Sequence, residues 1–182
     1  MHFFSPVDFF FLLFCGAVAL GDLLFRRVFN WLLVVGIAGN VLVLATAGHE
    51  ASVFAQQWST AFLGFFAGLA LFLPFYVFRV MGAGDVKFFA VLGFWLGLPG
   101  LVPVWLGGSV LAGIHALAAY CVRSGLTGEW VMLQLAPVQG AVSRIPVLRR
   151  AGQWVSALRA GRRGIPYAAY LAVAAVVVVL GR

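Results

Sequence analysis

A chain of 182 residues that is 64% hydrophobic and only 9% charged does not suit a soluble domain, since such domains carry roughly 25% charged residues. Its formal net charge of +7 would suit nucleic acid, but no aromatic-interleaved or fold motif supports that partner, and cytoplasmic loops of membrane proteins collect Lys and Arg in the same way. The two cysteines, Cys15 and Cys121, form no C-x-x-C pair, which argues against structural zinc and implies no disulfide framework; both lie in apolar runs and read as inert buried thiols.

The first apolar span runs from about Val7 to Phe25 and ends at Arg26-Arg27. It contains a small-residue triplet, Ala17-Val18-Ala19, but no basic residue precedes it, and Asp8 stands where a signal peptide has its positive region, so a retained span is expected. Span two covers about Val28 to Ala47 and ends in Gly48-His49-Glu50. After a polar link through Gln56-Gln57, span three covers about Trp58 to Phe78 and stops at Arg79. A glycine loop, Met81-Gly82-Ala83-Gly84, leads into a short span four, about Asp85 to Leu98, closed by Pro99-Gly100. Span five is about Leu101 to Val122, and span six about Ile165 to Leu180. A full crossing needs about 20 apolar residues, so spans four and six are short.

Between the last two spans lies a basic segment, residues 124–163, interrupted by Pro137 and Pro146. Within it Val147, Ala151, Trp154 and Leu158 recur at helical spacing while Arg149, Arg150, Gln153 and Arg159 point elsewhere. That pattern predicts an amphipathic helix lying on the inner leaflet, ended by Gly161 and held by anionic head groups. The expected fold is therefore all-α: a single membrane-embedded domain over residues 1–182, with about six transmembrane helices and one cytoplasmic interfacial helix. With the N-terminus outside, eleven of the twelve basic residues fall on inside loops, the bias the positive-inside rule asks for. The same topology puts Asp22 and Asp85 at the cytoplasmic ends of their spans.

Those two aspartates are the candidate functional residues. An acid at membrane depth costs roughly 2.5–3.5 kcal/mol on insertion scales, so it is retained for a reason. Two carboxylates held close share one proton: the ionised member draws a proton from water, and the protonated member polarises a carbonyl. Gly82 and Gly84 would allow unusual backbone conformations and close approach of another chain. Simpler roles stand beside this one. Asp22 and Arg26 are spaced as a surface ion pair, Asp85 could cap a helix, and the glycines could be turn residues. The pair could also bind a cation or relay protons, although spans two, five and six supply no further acid to continue a path. His115, alone in span five, reads as a hydrogen-bonded packing residue.

The run Gly82-Ala83-Gly84-Asp85-Val86-Lys87 resembles the GxGD-x-K motif of type IV prepilin peptidases, which are polytopic aspartic proteases. The stretch from Asp22 to Asn30 is similar to the same family's first-aspartate motif, an aspartate followed by arginines and an Ile-Pro-Asn-like triplet, with Phe29 in place of the usual proline. Gly164-Ile165-Pro166-Tyr167-Ala168 resembles the Pro-Tyr/Phe-Gly step that opens the last span, with Ala168 for the usual glycine. The resemblance implies cleavage of prepilin leaders at the cytoplasmic face of the bacterial inner membrane, with Asp22 and Asp85 as the catalytic pair. Gly82, Gly84, Lys87, Arg26 and Asn30 are supporting candidates beside it: Arg26, Arg27 and Asn30 would position the loop or Asp22, with topology signalling an equal alternative for the arginines, and Lys87 would tune Asp85 or snorkel. The large bifunctional members carry a cysteine-rich insertion that this chain lacks, so the likeness is to the small branch serving Flp-type (tight adherence) pili. The implied partners are a prepilin, the lipid bilayer and pilus assembly machinery, with no metal or organic cofactor. Glu129, the one acid of the basic segment, is a candidate contact for the basic leader.

Overall fold

The computed structural model describes residues 5–46, 57–123, 154 and 166–181, and every regular element among them is helical. The helices are α1 (Pro6–Phe25), α2 (Asn30–Thr46), α3 (Trp58–Val77), α4 (Ala83–Arg123) and α5 (Tyr167–Leu180). The stretches Pro6–Phe25, Trp58–Val77 and Ala83–Cys121 are each long and apolar enough to cross a membrane. Helices α2 and α5 are apolar but shorter, at 17 and 14 residues. The amphipathic segment expected at residues 147–158 lies outside the described residues except for Trp154, which is helical and exposed. His49, Glu50 and Glu129 also lie outside them.

Helix α1 begins with a capping box. Ser5 Oγ accepts from the Asp8 amide at 3.2 Å, Asp8 Oδ2 accepts from the Ser5 amide at 3.0 Å, and Pro6 occupies the first turn. Two orphan donors are thereby satisfied, and Asp8, although buried, has a capping role at the start of α1. Helix α1 ends at Arg26, which adopts a left-handed conformation (φ 53°) and donates its amide to the Asp22 carbonyl at 2.9 Å.

Helix α4 is two helices joined at a break. Gly97 sits at φ 62°, ψ −174°, a region essentially reserved for glycine. The sequence places the end of span four at Pro99-Gly100. The chain instead turns two residues earlier, and Pro99 falls in the first turn of the following helix, where its missing N–H has no intrahelical partner to lose. Residues 83–96 form a rod of about 21 Å, and residues 98–123 return alongside it.

The rod of residues 83–96 is the centre of the molecule. Phe88, Phe89, Leu92, Trp95 and Leu96 are all fully buried, as expected of a helix that is apolar on every face. Phe89 stacks on Phe72 of α3 with ring centroids 3.9 Å apart, and Trp95 packs against Phe10 and Phe11 of α1. The Trp95 indole N–H donates to the Gly36 carbonyl of α2 at 2.9 Å, and Asn40 donates to the Phe94 carbonyl at 2.6 Å just before the break. Gly64 of α3 and Gly93 lie backbone to backbone, so close that a Cβ on either would enter the other's peptide group. The outer faces of α1, α2 and α3 expose Phe9, Leu13, Val34, Leu42, Phe66 and Leu63. In water such faces would be costly; against lipid tails they are in a like solvent.

Candidate active site

Three helix ends meet at one end of the bundle: the last turn of α1, the first turn of α4 and the first turn of α5. Asp22 lies in the last turn of α1 and is only 6% exposed. Asp85 lies in the first turn of α4, half-buried. The α4 helix starts at Ala83, with the Asp85 and Val86 amides bonded to the Gly82 carbonyl. Asp85 is therefore the third residue of the helix rather than its N-cap, with its carboxylate turned back towards Gly82, and span four begins two residues earlier than its sequence boundary. The alternative of Asp22 as a surface ion-pairing residue does not suit its burial, although the Arg26 charge does reach it.

The first turn of α5 joins the two acids. The Ala169 amide donates to Asp22 Oδ2 at 3.1 Å. The adjacent Ala168 amide faces the Asp85 carboxylate, as does Gly82. With Asp22 bonded to the Ala169 amide and Asp85 faced by the adjacent Ala168 amide, the two carboxylates are within electrostatic reach of one another. These amides belong to the unsatisfied donors of a helix start, where the helix dipole contributes about half a positive charge. The first turn of α4 faces Asp85 with the same sign. Asp22, at a C-terminal helix end, has its own dipole against it, and α5 offsets that. The site thus combines low solvent exposure with backbone donors that favour negative charge.

The two loop glycines serve packing rather than unusual dihedral angles. Neither has a positive φ; among the described glycines only Gly97 does. A Cβ at Gly84 would sit 3.1 Å from Val28 Cβ and 3.3 Å from its Cγ2. Gly84 therefore lets the start of α4 close onto the turn that follows Asp22. A Cβ at Gly82 would lie 3.3 Å from Asp85 Oδ2, against the carboxylate itself. The close approach seen at Gly84 is by the turn after α1 of the same chain, and the expected special backbone conformation is not found at either glycine.

The remaining sequence candidates separate into two groups. Lys87 Nζ donates to Asn30 Oδ1 at 3.4 Å, which links the start of α4 to the start of α2. This link stands on the other side of α4 from Asp85, because residues two apart on a helix face opposite ways. Both residues line a groove of about 250 Å³ with Leu33, Ile37, Phe65 and Val91. Arg26 serves through its backbone as the turn residue ending α1, and its charge reaches Asp22 and Tyr170.

The sequence marks Tyr167 and Ala168 only as part of the step that opens the last span; it does not single out the α5 amides as donors, nor Ser109 or Tyr170. Tyr167 and Ser109 share a hydrogen bond of 2.9 Å, and Tyr170 and His115 Nδ1 one of 2.8 Å. Backbone donors leave no mark in residue identity. The available signal was Pro166 ahead of an apolar run, which marks a helix start and hence a place that receives anions.

Comparison with curated proteins and with solved structures returned no match. The model of the type IV leader peptidase family matches residues 9–117. That range takes in Asp22, the turn after it, the glycine loop, Asp85 and both halves of α4 to beyond His115, but not α5. More than half of the chain lies within the match, and the chain belongs to the type IV leader peptidase family.

Proposed function

We propose that this peptidase is an aspartic endopeptidase that removes the leader from Flp-type prepilins at the cytoplasmic face of the bacterial inner membrane. The observation that carries the reading is the presence of two acids beside one another, each faced by one of two adjacent amides at the start of α5. In the proposed reaction, the ionised member of the pair takes a proton from a water molecule. The water oxygen attacks the scissile carbonyl while the protonated member donates to the carbonyl oxygen. The tetrahedral intermediate then collapses, the C–N bond breaks, and the leaving amine takes a proton from the pair. Titration belongs to the pair rather than to Asp22 or Asp85 singly.

Gly82 and Gly84 let the carboxylates approach, Arg26 ends α1 at the right residue, and the Lys87–Asn30 link braces α4 against α2. The proposed topology has six crossings, with the break at Gly97 separating the fourth from the fifth. Residues 1–182 form one domain, and the basic segment 124–163 is a cytoplasmic loop that meets lipid or pilus assembly partners. Asp22, Asp85 and most basic residues then share the inner side.

Co-expression with an Flp-type prepilin tests this, reading the mature N-terminus by mass. Asp22→Asn and Asp85→Asn are each expected to leave the prepilin uncut while accumulating in the membrane like the parent. Cleavage surviving in either variant would remove the paired mechanism. Ion-dependent uptake with processing unaffected would point to a transport role for the acids instead.

A further inference from the structure

Asp22 takes a donor from the first turn of α5 and the neighbouring Ala168 amide faces Asp85, so the position of that turn bears on the spacing of the two acids. Its own start supplies little hold. Pro166, the residue before the helix, makes no side-chain capping bond. What ties the turn down is a pair of side-chain links to the second half of α4. Tyr167 and Ser109 share a hydrogen bond at 2.9 Å, and the Tyr167 ring packs on Phe72 with centroids 6.0 Å apart. Phe72 in turn stacks on Phe89, one turn along α4 from Asp85. Tyr170 shares a hydrogen bond with His115 at 2.8 Å, and its ring lies against the imidazole. The helices can come this close because Gly107 and Gly108 abut Ala174 and Leu171.

The two tyrosines bracket the two amides in sequence: Tyr167, then Ala168 and Ala169, then Tyr170. Each side chain is also within electrostatic reach of one acid, Tyr167 of Asp85 and Tyr170 of Asp22. We infer that Ser109–Tyr167 and His115–Tyr170 are two struts that hold the first turn of α5, and that these four are positioning residues for the acid pair. The inference rests on the proposed aspartic mechanism and adds how its geometry is kept. The struts act in parallel. With one lost, the other still holds the turn. With both lost, the turn is free to shift or fray, and the carboxylates lose their common frame. Ser109 can return its hydroxyl to a carbonyl of its own helix, so the loss falls on geometry more than on folding.

The test uses the full chain in proteoliposomes with an Flp-type prepilin, reading kcat and KM separately. Tyr167→Phe and Tyr170→Phe are each expected to lower kcat by no more than about threefold, since one strut remains. The double variant is expected to lower kcat by at least thirtyfold, with KM within twofold of the parent and an unchanged yield in the membrane; a 1 Å misplacement can cost about 10²-fold. Ser109→Ala combined with Tyr170→Phe should reproduce the double loss, and Ser109→Thr with Tyr170→Phe should not. A double variant that loses only the product of the two single losses, or one whose lower rate follows a lower membrane yield or a higher KM, would overturn the inference. Asp22→Asn run in parallel separates the two levels. If it still cleaves, the aspartic reading fails. If it is inactive while the double tyrosine variant cleaves at the parental rate, only the struts fail.

Discussion

The close contact between Gly84 and Val28 gives the most direct perturbation of the site. An added Cβ at position 84 would lie 3.1 Å from Val28 Cβ. Carbon atoms pack at about 3.5–4.0 Å, so Gly84→Ala leaves a shortfall of roughly 0.4–0.9 Å between the start of α4 and the turn after α1. These two segments carry Asp85 and follow Asp22, and part of the shortfall must appear as separation of the carboxylates. Val28 is half-buried and can absorb some of it. With about 10²-fold lost per 1 Å of misplacement, Gly84→Ala is expected to lower kcat/KM for prepilin cleavage about tenfold, equivalent to about 1.4 kcal/mol. Overpacking should also lower stability by about 1–3 kcal/mol. The assay is single-turnover cleavage in proteoliposomes, with the mature N-terminus read by mass. The control is Gly84→Ala combined with Val28→Gly, which removes the Val28 Cβ and Cγ2 that the new methyl group would meet and should recover most of the rate. Parental cleavage by Gly84→Ala, or no recovery in the combined variant, would refute the argument that Gly84 is there to bring the two acids together.

Two further outcomes follow from other parts of the bundle. Gly97→Ala places a side chain at φ 62°, ψ −174°, which costs about 1–3 kcal/mol; a lower thermal midpoint in detergent and a reduced membrane yield are expected, and an unchanged midpoint would count against the break as described. Lys87→Gln weakens an exposed 3.4 Å link to Asn30 on the face of α4 away from Asp85. Exposed pairs contribute at most about 1 kcal/mol, so cleavage should fall less than tenfold, and complete loss would mean that Lys87 acts on the acid pair directly.

The glycines of this chain divide by the physical reason for their presence. Gly64 and Gly93 let α3 lie directly on the central rod, and Gly108 lets α5 lie on the returning half of α4. Small residues at such crossings are how membrane helices gain packing without a hydrophobic driving force between them. Gly97 alone among the described glycines is required by its dihedral angle. A pattern such as Gly-Ala-Gly-Asp does not say which of these reasons applies. The neighbour across the gap decides it, and at Gly84 that neighbour is Val28, 56 positions away in the chain.

Composition by itself determined that the chain is helical and belongs in lipid, because long apolar runs must satisfy their backbone groups internally. It also singled out Asp22 and Asp85, because acids are scarce in such runs and costly there. The sequence did not contain the place where α4 breaks. Pro99 is the stronger punctuation mark, yet a proline is tolerated in a first helical turn and only the glycine can take the turn's dihedral angles. Nor did it contain the partner of the two acids, which is a pair of backbone amides about 147 residues after Asp22. Every residue but proline carries such an amide, so nothing in the side chains of Ala168 and Ala169 announces them. Their role arises only when packing brings an unsatisfied helix start to the end of α1 and the beginning of α4.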